Sequence, residues 1–329
     1  MRTTKQLAPF IHTDKTAPYI YLTQVVALLP CCFFAIFYYG VKAFILLLTC
    51  ALVFTITDNT SARLVRRDEA SGNYFDFNSI VSGLAFGLML PPGTSLWVAI
   101  IGVVFGSLVV KQFFGGAGNN ILNPACAARL FVGLCCSSKL TGFIMPGTLW
   151  FSMSSLISFA PTVSLGDNTS NYYFTELICG RFPGYMGMSC ILLILVGGVY
   201  MLIKGTVRLY AAVSYIIGIA VFYPLFTPEF FQGKQGVHDF VIFMITSGVV
   251  YVAVFMLGDY TTMPSRFIPS VFAGILCSFL TILIKGKVSL DVMLCAPVLT
   301  VNFLSFVIDY FSKCFSRRKR QFYGEDSGL

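Results

Sequence analysis

A glycine- and asparagine-rich segment interrupts two long apolar runs within residues 107–129, which read SLVVKQFFGGAGNNILNPACAAR. In hydrocarbon, each backbone N–H or C=O group that lacks a hydrogen bond costs several kcal/mol. Irregular backbone therefore survives at membrane depth only where it is buried in protein or lines a cavity. The segment predicts a membrane protein with a protein-lined interior in which something is bound or moved.

Apolar runs make up most of the chain, which is 57% apolar and only 11% charged. A soluble domain is about a quarter charged. At about 20 residues per span, the 329 residues accommodate roughly ten helices with short loops. Three runs, 41–56, 80–93 and 189–203, are short for full spans. The ten runs are 19–38, 41–56, 80–93, 95–110, 121–136, 189–203, 209–226, 240–257, 267–284 and 291–311.

The loop charges predict the orientation, because cytoplasmic loops carry an excess of Lys and Arg. With a cytoplasmic N-terminus, 15 of the 22 Lys and Arg residues, including Lys111, lie in loops on the cytoplasmic side and six on the other, while Arg129 falls inside a span. Both termini are then predicted to face the cytoplasm of a bacterial cell, with the chain in the cytoplasmic (inner) membrane. The net charge of +8 lies in these loops and does not suggest a nucleic-acid partner.

Five runs on each side of a mixed connector require the second group to be inverted relative to the first. Ser82-Gly83 followed by Met89-Leu90 is echoed by Ser247-Gly248 followed by Met256-Leu257, and inverted repeats with broken helices are common in transporters. The predicted fold class is all-α: a polytopic membrane protein of about ten transmembrane helices in two inverted five-helix repeats with broken helices. Its parts are a cytoplasmic N-terminus 1–18, repeats 19–136 and 189–311, an extracytoplasmic connector 137–188 and a basic tail 312–329.

Two polar breaks supply most of the candidate binding residues. In the first, glycines permit positive φ angles and close approach of a ligand, and asparagines offer amide donors and acceptors. Pro124 suits the first turn of a helix whose N-terminus would face this loop. The second break is GDYTTMPSR at 258–266, which we place in the matching position of the other half. Ordinary helix–loop–helix connections without a ligand are the alternative. The candidates are Lys111, Gly115, Gly116, Gly118, Asn120, Asn123, Pro124, Asp259, Thr261 and Thr262.

Arg129 lies inside an apolar run, where a charge is costly and normally faces the protein interior. Either it meets a phosphate or carboxylate, or its side chain reaches out to the nearby cytoplasmic face. The eleven cysteines form no CxxC pair, and most lie in apolar runs, so we interpret them as small buried hydrophobes. No metal site and no hydrolytic triad is predicted.

These segments resemble the RnfD/NqrB family, the membrane subunits of two redox-driven ion pumps: the Rnf complex and the Na⁺-translocating NADH:quinone reductase. The likeness runs from about residue 8 to 312, and the DYTT wording and short N-terminal segment favour RnfD. The strings that carry it are DFNSIVSGLAFGLMLPPG, KQFFGGAGNNILNPACAARLF, LICGRFPGYMG, FMLGDYTTMPS and LDVMLCAPVLTVNFLSFVID.

The resemblance implies FMN, esterified through its phosphate to a threonine in the connector. The matching segment here is SFAPTVSL, with Thr162 as the acceptor and Pro161 directly before it. Thr169, after Asp167, is a second candidate acceptor. The family's GETS-like segment reads Gly187-Met188-Ser189-Cys190 here, without the glutamate. A second flavin is left open.

The resemblance further implies a subunit that relays electrons through FMN between iron–sulfur and flavin subunits of an Rnf-like complex, coupled to Na⁺ or H⁺ transport. Such a subunit belongs to a ferredoxin:NAD⁺ oxidoreductase-type translocase and would not turn over alone. The changed threonine motif and missing glutamate leave two alternatives on the same inverted-repeat fold. One is a flavin-free transporter of a small solute, and the other is a scaffold subunit.

Overall fold

The computed structural model describes residues 16–65, 77–116, 120–140, 142–144, 156–157, 173–231, 234–264 and 266–325. The regular secondary structure of the described part is helical except for one antiparallel pair of two-residue strands, in which Phe143 pairs with Ile157 and Ile144 with Leu156. The coarse prediction of an all-α fold is confirmed, because a chain this apolar satisfies its backbone within helices.

The first half contains five helices. Pro18 occupies the first turn of α1, where a missing N–H costs nothing, and Gly40 ends that helix with a φ of +74°. The fourth helix continues without interruption into a π-helix, Gly106–Gln112. The helices are α1 Ala17–Tyr39, α2 Val41–Val65, α3 Phe77–Leu88, α4 Leu96–Phe105 and α5 Pro124–Cys135.

The connector has little regular structure among its described residues. A 3₁₀ turn, Ser137–Lys139, is followed by the strands β1 Phe143–Ile144 and β2 Leu156–Ile157. The short helix α6, Phe174–Ile178, begins where Glu176 accepts a hydrogen bond from the Tyr173 backbone at 3.2 Å.

The described residues of the second half also form helices joined by turns and loops. A 3₁₀ turn, Pro228–Phe231, follows α8, and a second π-helix, Val252–Met256, follows α10. Gly248, with a φ of +80°, lies between α9 and α10, where the chain bends by 53°. The helices are α7 Ile191–Lys204, α8 Leu209–Phe226, α9 Lys234–Thr246, α10 Val249–Tyr251, α11 Phe267–Ile284 and α12 Leu290–Glu325.

Among the described residues, five helices are long and apolar enough to cross a membrane, and a sixth span results if the bent segment 236–256 is counted as one. Four shorter apolar helices are 77–88, 96–112, 124–135 and 191–204. A 12-residue helix is about 18 Å long, against about 30 Å for the hydrocarbon core. Of the two alternatives for the short runs 80–93 and 189–203, partial helices or helices that begin within flanking loops, these lengths favour partial helices.

The run 41–56 is instead part of a longer helix that includes a flanking polar segment. Helix α2 extends to Val65 through the polar stretch TITDNTSAR, and its hydroxyls bond to carbonyls one turn back, as Thr57 Oγ1 does to Val53 at 2.7 Å. These internal hydrogen bonds let a polar sequence continue a helix without exposing unpaired groups. The extension carries Asp58 into the protein interior, where it is 3% exposed.

Helices of the two halves pack against each other at small residues. Helix α1 packs on α7, and α5 packs on α12. Gly197 of α7 lies so close to α1 that a methyl group placed there would overlap the Ala27 carbonyl oxygen. One hydrophobic core, with Ala27, Cys126, Tyr251 and Val298 among its members, joins both halves.

The contact between α1 and α7 gives a first prediction. Gly197→Ala should lower the free energy of unfolding by about 1–3 kcal/mol, because the added methyl meets rigid backbone. Gly198→Ala is the matched control, since its methyl would meet only the Val254 side chain at 3.1 Å, which can shift by a few tenths of an ångström. Chemical unfolding in mixed micelles measures both, and equal effects would contradict the close approach.

Candidate functional site

The first polar break follows the π-helix at 106–112. The π-helix closes with a bond from the Phe113 N–H to the Leu108 carbonyl at 3.1 Å, five residues back. Gly115 and Gly116 then adopt φ angles of +108° and +81°, as the sequence predicts for glycines at a tight turn. Such π-helical turns occur frequently at functional sites.

Lys111 lies on this π-helix and is completely buried. The loop charges predict it as a cytoplasmic loop cation, and that assignment is wrong. Its ammonium donates to Asp58 Oδ2 at 2.6 Å and to Ser79 Oγ at 3.0 Å. Gln112 Nε2 and Ser79 Oγ also donate to the Asp58 carboxylate. The cluster joins α2, α3 and the π-helix, and the Lys111 charge is compensated inside the protein.

Asn123 caps the N-terminus of α5. Its Oδ1 accepts hydrogen bonds from the backbone of Ala125 at 3.1 Å and of Cys126 at 3.3 Å, and Pro124 fills the first helical position. With its side-chain amide turned so that the oxygen faces α5, Asn302 of α12 accepts from the Asn123 backbone N–H at 3.1 Å. The prediction that a helix begins at Pro124 and faces the loop is confirmed. Because the Asn123 side-chain oxygen is engaged in capping, the Asn120 side chain has the fewer hydrogen bonds of these two amides.

Asn120 is 5% exposed, and its Oδ1 has no hydrogen-bond partner within the described residues. A buried polar oxygen without a partner costs about 1–3 kcal/mol. Such an atom marks a place where a ligand or water hydrogen bond would restore stability.

The second break is held by Asp259. Its carboxylate accepts from the Thr261 backbone at 3.2 Å, from Thr261 Oγ1 at 2.8 Å and from Thr262 Oγ1 at 3.3 Å. Burial raises the pKa of the Asp259 carboxyl, and these hydrogen bonds oppose that rise. The three candidates of this break therefore form one turn with one another.

The two breaks are not at matching positions, contrary to the expectation from the sequence. The first lies between the fourth and fifth helices of its half. The second lies between π-helix 252–256 and α11, which is the fourth helix of the other half if the bent pair α9 and α10 is counted as one.

Arg129 is 1% exposed, so the interpretation that it reaches out to the membrane surface is wrong. Its Nη2 donates to Asp291 Oδ1 in a close ion pair, and Tyr185 Oη donates to the same oxygen at 3.0 Å. The guanidinium lies over the Tyr185 ring at 5.3 Å. Arg129 Nη1 is buried and has no partner within the described residues.

A narrow space adjoins this ion pair, and it is too tight to hold even a water molecule. It lies where α5, the connector and α12 meet. It is lined by Met89, Arg129, Tyr185, Met188, Asp291, Leu294 and Cys295.

Three of the predicted site residues, Thr162, Thr169 and Gly118, lie outside the described residues. Sequence reasoning missed Asp58, Asp291 and Tyr185. Asp58 stands in a polar stretch beyond an apolar run, where a charge usually marks a loop. Asp291 opens α12, where an acidic residue is ordinary because it faces the positive end of the helix dipole. Only the observation that Lys111 and Arg129 need buried counter-charges could have prompted a search for them.

A comparison with known families matches residues 4–316 to the NQR2, RnfD, RnfE family. The chain belongs to this family. The match covers nearly the whole sequence and confirms the resemblance drawn from the break motifs. Every described member of the Lys111 and Arg129 clusters lies within it.

The chain is similar to the RnfD-type component of the Na⁺-translocating ferredoxin:NAD⁺ oxidoreductase complex of Acetobacterium woodii, with 26% identity over 93% of this chain and 92% of that protein. It is also similar to the NqrB-type component of the Na⁺-translocating NADH-quinone reductase of Pseudoalteromonas atlantica (29% identity over 48% of the chain) and of Yersinia pestis (31% over 41%). The matched regions span 38% and 33% of those two proteins.

Proposed function

We propose that this chain is the membrane subunit of an Rnf-type complex that relays electrons through FMN and couples their transfer to Na⁺ or H⁺ movement. The observation that carries the proposal is the similarity to the ferredoxin:NAD⁺ oxidoreductase component over nearly the full length of both proteins. The shorter matches to the quinone reductase components make an NqrB-like role the less favoured form of the same function.

The partners proposed are the other membrane and peripheral subunits of that complex, including iron–sulfur and flavin subunits. Electrons would enter and leave the chain through them. FMN, when bound, supplies the redox chemistry, and the protein positions the ring and tunes its potential.

An inverted repeat of two five-helix halves is part of the proposal. If α1 to α5 correspond to α7, α8, α9 with α10, α11 and α12, the packing of α2 on α4 recurs as α8 on α11. The packing of α4 on α5 likewise recurs as α11 on α12. A two-fold axis would also bring α1 against α7 and α5 against α12, and both contacts occur.

The domain boundaries and orientation proposed from the sequence fit this arrangement. The halves are 19–136 and 189–311, with connector 137–188 on the extracytoplasmic side and both termini in the cytoplasm. The polar loops 113–123 and 257–266 then lie on the cytoplasmic side. A fluorescent reporter fused after residue 329 should be active in the cytoplasm, and one inserted in the connector should not.

Two places in the chain are proposed as flavin sites. On the proposed extracytoplasmic side, Thr162 would carry the phosphoester. At the N-terminus of α5, the unpaired Asn120 Oδ1 suits an N–H donor such as that of an isoalloxazine ring, so a second, non-covalent flavin is proposed there. Thr261 and Thr262 would orient the Asp259 carboxylate toward the same helix N-terminus.

Covalent flavin is the first test. The full chain, made in a host with an active flavin transferase, should give a fluorescent band on a denaturing gel, and Thr162→Ala should remove all of it. Thr169→Ala is the matched control and should keep the band. Loss of the band in Thr169→Ala alone would move the acceptor to Thr169.

The absence of any band from the wild-type chain would remove covalent FMN from the proposal. Solute uptake by proteoliposomes that contain only this chain would then favour the transporter. Strict co-purification with partner subunits, without flavin or uptake, would favour the scaffold.

A further inference from the structure

The ammonium of Lys111 occupies a place where oxygens converge on one positive charge. The Asp58 side chain is 4% exposed, and that of Lys111 is fully buried. Lys111 Nζ lies 2.6 Å from Asp58 Oδ2 and 3.0 Å from Ser79 Oγ. A buried carboxylate thus holds its counter-charge together with a hydroxyl, away from water.

The Asp58 carboxylate is held in place by groups other than the lysine. Gln112 Nε2 donates to Asp58 Oδ1 and also to the Asp58 backbone carbonyl at 3.3 Å, while Ser79 Oγ donates to Asp58 Oδ2. The carboxylate would therefore keep its orientation if the ammonium withdrew. Because a buried charge without a partner is strongly destabilising, the vacated position would require another cation.

Ser107 adds a further oxygen beside Lys111. It is fully buried, and its Oγ has no hydrogen-bond partner in the part of the chain that the structure describes. Ser107 lies four residues before Lys111 on the same π-helix, and helical side chains lean toward the N-terminus, so the lysine lies over Ser107. The Phe54 ring flanks both: it is 6.0 Å from Lys111 Nζ and would lie 3.5 Å from a methyl group on Gly106.

The chemistry of these ligands indicates which ion fits. Hard cations prefer oxygen ligands such as carboxylate and hydroxyl groups. The single carboxylate of Asp58 balances one positive charge, so a monovalent ion leaves the cluster neutral. A divalent ion would leave a net positive charge buried, which is costly.

We infer that Lys111 fills a binding site for a dehydrated alkali cation, which takes the place of the ammonium beside Asp58 Oδ2 and the hydroxyls of Ser79 and Ser107 when the lysine withdraws. This inference rests on the proposed function, in which the complex moves a cation. Asp58 lies seven residues, about 10 Å, before the end of α2 at Val65. In the proposed orientation the site is therefore close to the cytoplasmic surface.

Lys111→Met removes the built-in cation and should make stability depend on Na⁺. The full chain is unfolded in mixed micelles at constant ionic strength while NaCl replaces choline chloride, whose cation is too large for the site. Binding of one ion should raise the folding equilibrium constant about tenfold for each tenfold rise in Na⁺ above its dissociation constant. The wild-type chain and Lys111→Arg keep a cation beside Asp58 and should show no such dependence.

Two further variants test the ligands. Asp58→Leu/Lys111→Met lacks the carboxylate and should not respond to Na⁺. Adding Ser107→Ala to Lys111→Met removes a hydroxyl from the cation and should raise the Na⁺ concentration at half-effect about tenfold. An unchanged response in either variant would overturn the assigned ligands.

Equal stability of Lys111→Met in NaCl and in choline chloride would overturn the inference. If acid restores that stability equally in both salts, Asp58 takes up a proton in place of an alkali cation, and the inference is overturned as well. The proposed function would stand in both cases, because flavin attachment and co-purification with partner subunits are measured separately. Should Lys111→Met fail to fold, Lys111→Gln takes its place, since its amide is uncharged but still donates a hydrogen bond.

Discussion

Replacing Lys111 by methionine is expected to lower the free energy of unfolding by about 3–5 kcal/mol, the cost of removing one partner from a buried ion pair. The Asp58 carboxylate would keep its bonds from Ser79 and Gln112 but lose the only cation that donates to it among the described contacts. A charge that is 3% exposed cannot recover that loss from water. Chemical unfolding in mixed micelles at neutral pH measures the change.

The double variant Asp58→Leu/Lys111→Met separates charge from packing. Replacing a buried pair by apolar residues of similar size is often neutral or stabilising, so the double variant should recover most of the stability lost by Lys111→Met. The exposed pair His238–Asp239, 3.8 Å apart, provides the control, and Asp239→Asn should change stability by less than about 0.5 kcal/mol. If the double variant is as unstable as Lys111→Met, the cluster stabilises the protein by packing and not by charge compensation.

Asp291→Leu is expected to cost about 3–5 kcal/mol for the same reason, because it leaves the Arg129 guanidinium buried with neither of its described nitrogen atoms paired to a carboxylate. This pair also joins the two halves, since Arg129 belongs to α5 and Asp291 to α12. Loss of the pair should therefore loosen the contact between halves, which limited proteolysis of the connector would report as faster cleavage.

The matched variant Tyr185→Phe keeps the ring under Arg129 and removes only the hydroxyl that donates to Asp291 at 3.0 Å. A neutral-donor hydrogen bond to a charged group is worth about 1.5–3 kcal/mol, so its effect should be clearly smaller than that of Asp291→Leu. Equal effects of the two variants would mean that the connector, and not the ion pair, holds the halves together.

Local features of the candidate site followed from the sequence. Gly115 and Gly116 adopt the positive φ angles that their residue type favours, and Asn123 with Pro124 begins a helix at the position where that dipeptide is typical. Each of these features involves residues within three positions of one another. Their preferences are set by local sterics and capping, which a sequence displays directly.

The sequence did not predict which charged residues form ion pairs. Lys111 and Asp58 are 53 residues apart, and Arg129 and Asp291 are 162 apart. The expectation that the two breaks lie at matching positions was wrong for a related reason. It depended on sequence similarity among small apolar residues, which is weak evidence of correspondence. Gly83 lies inside α3, whereas Gly248, its counterpart in that comparison, lies at a bend. Long-range partners depend on how helices pack, which depends on many side chains together.

Residue order alone predicts apolar helices with glycine- and asparagine-rich interruptions, because hydrocarbon forces each backbone group to find its hydrogen bond within its own segment. The ion pairs of Lys111 with Asp58 and of Arg129 with Asp291 depend on the tertiary structure. The same packing leaves Asn120 Oδ1 and Arg129 Nη1 unpaired within the described residues. A charge buried by packing needs whichever counter-charge the fold brings beside it, and chain order does not specify that neighbour.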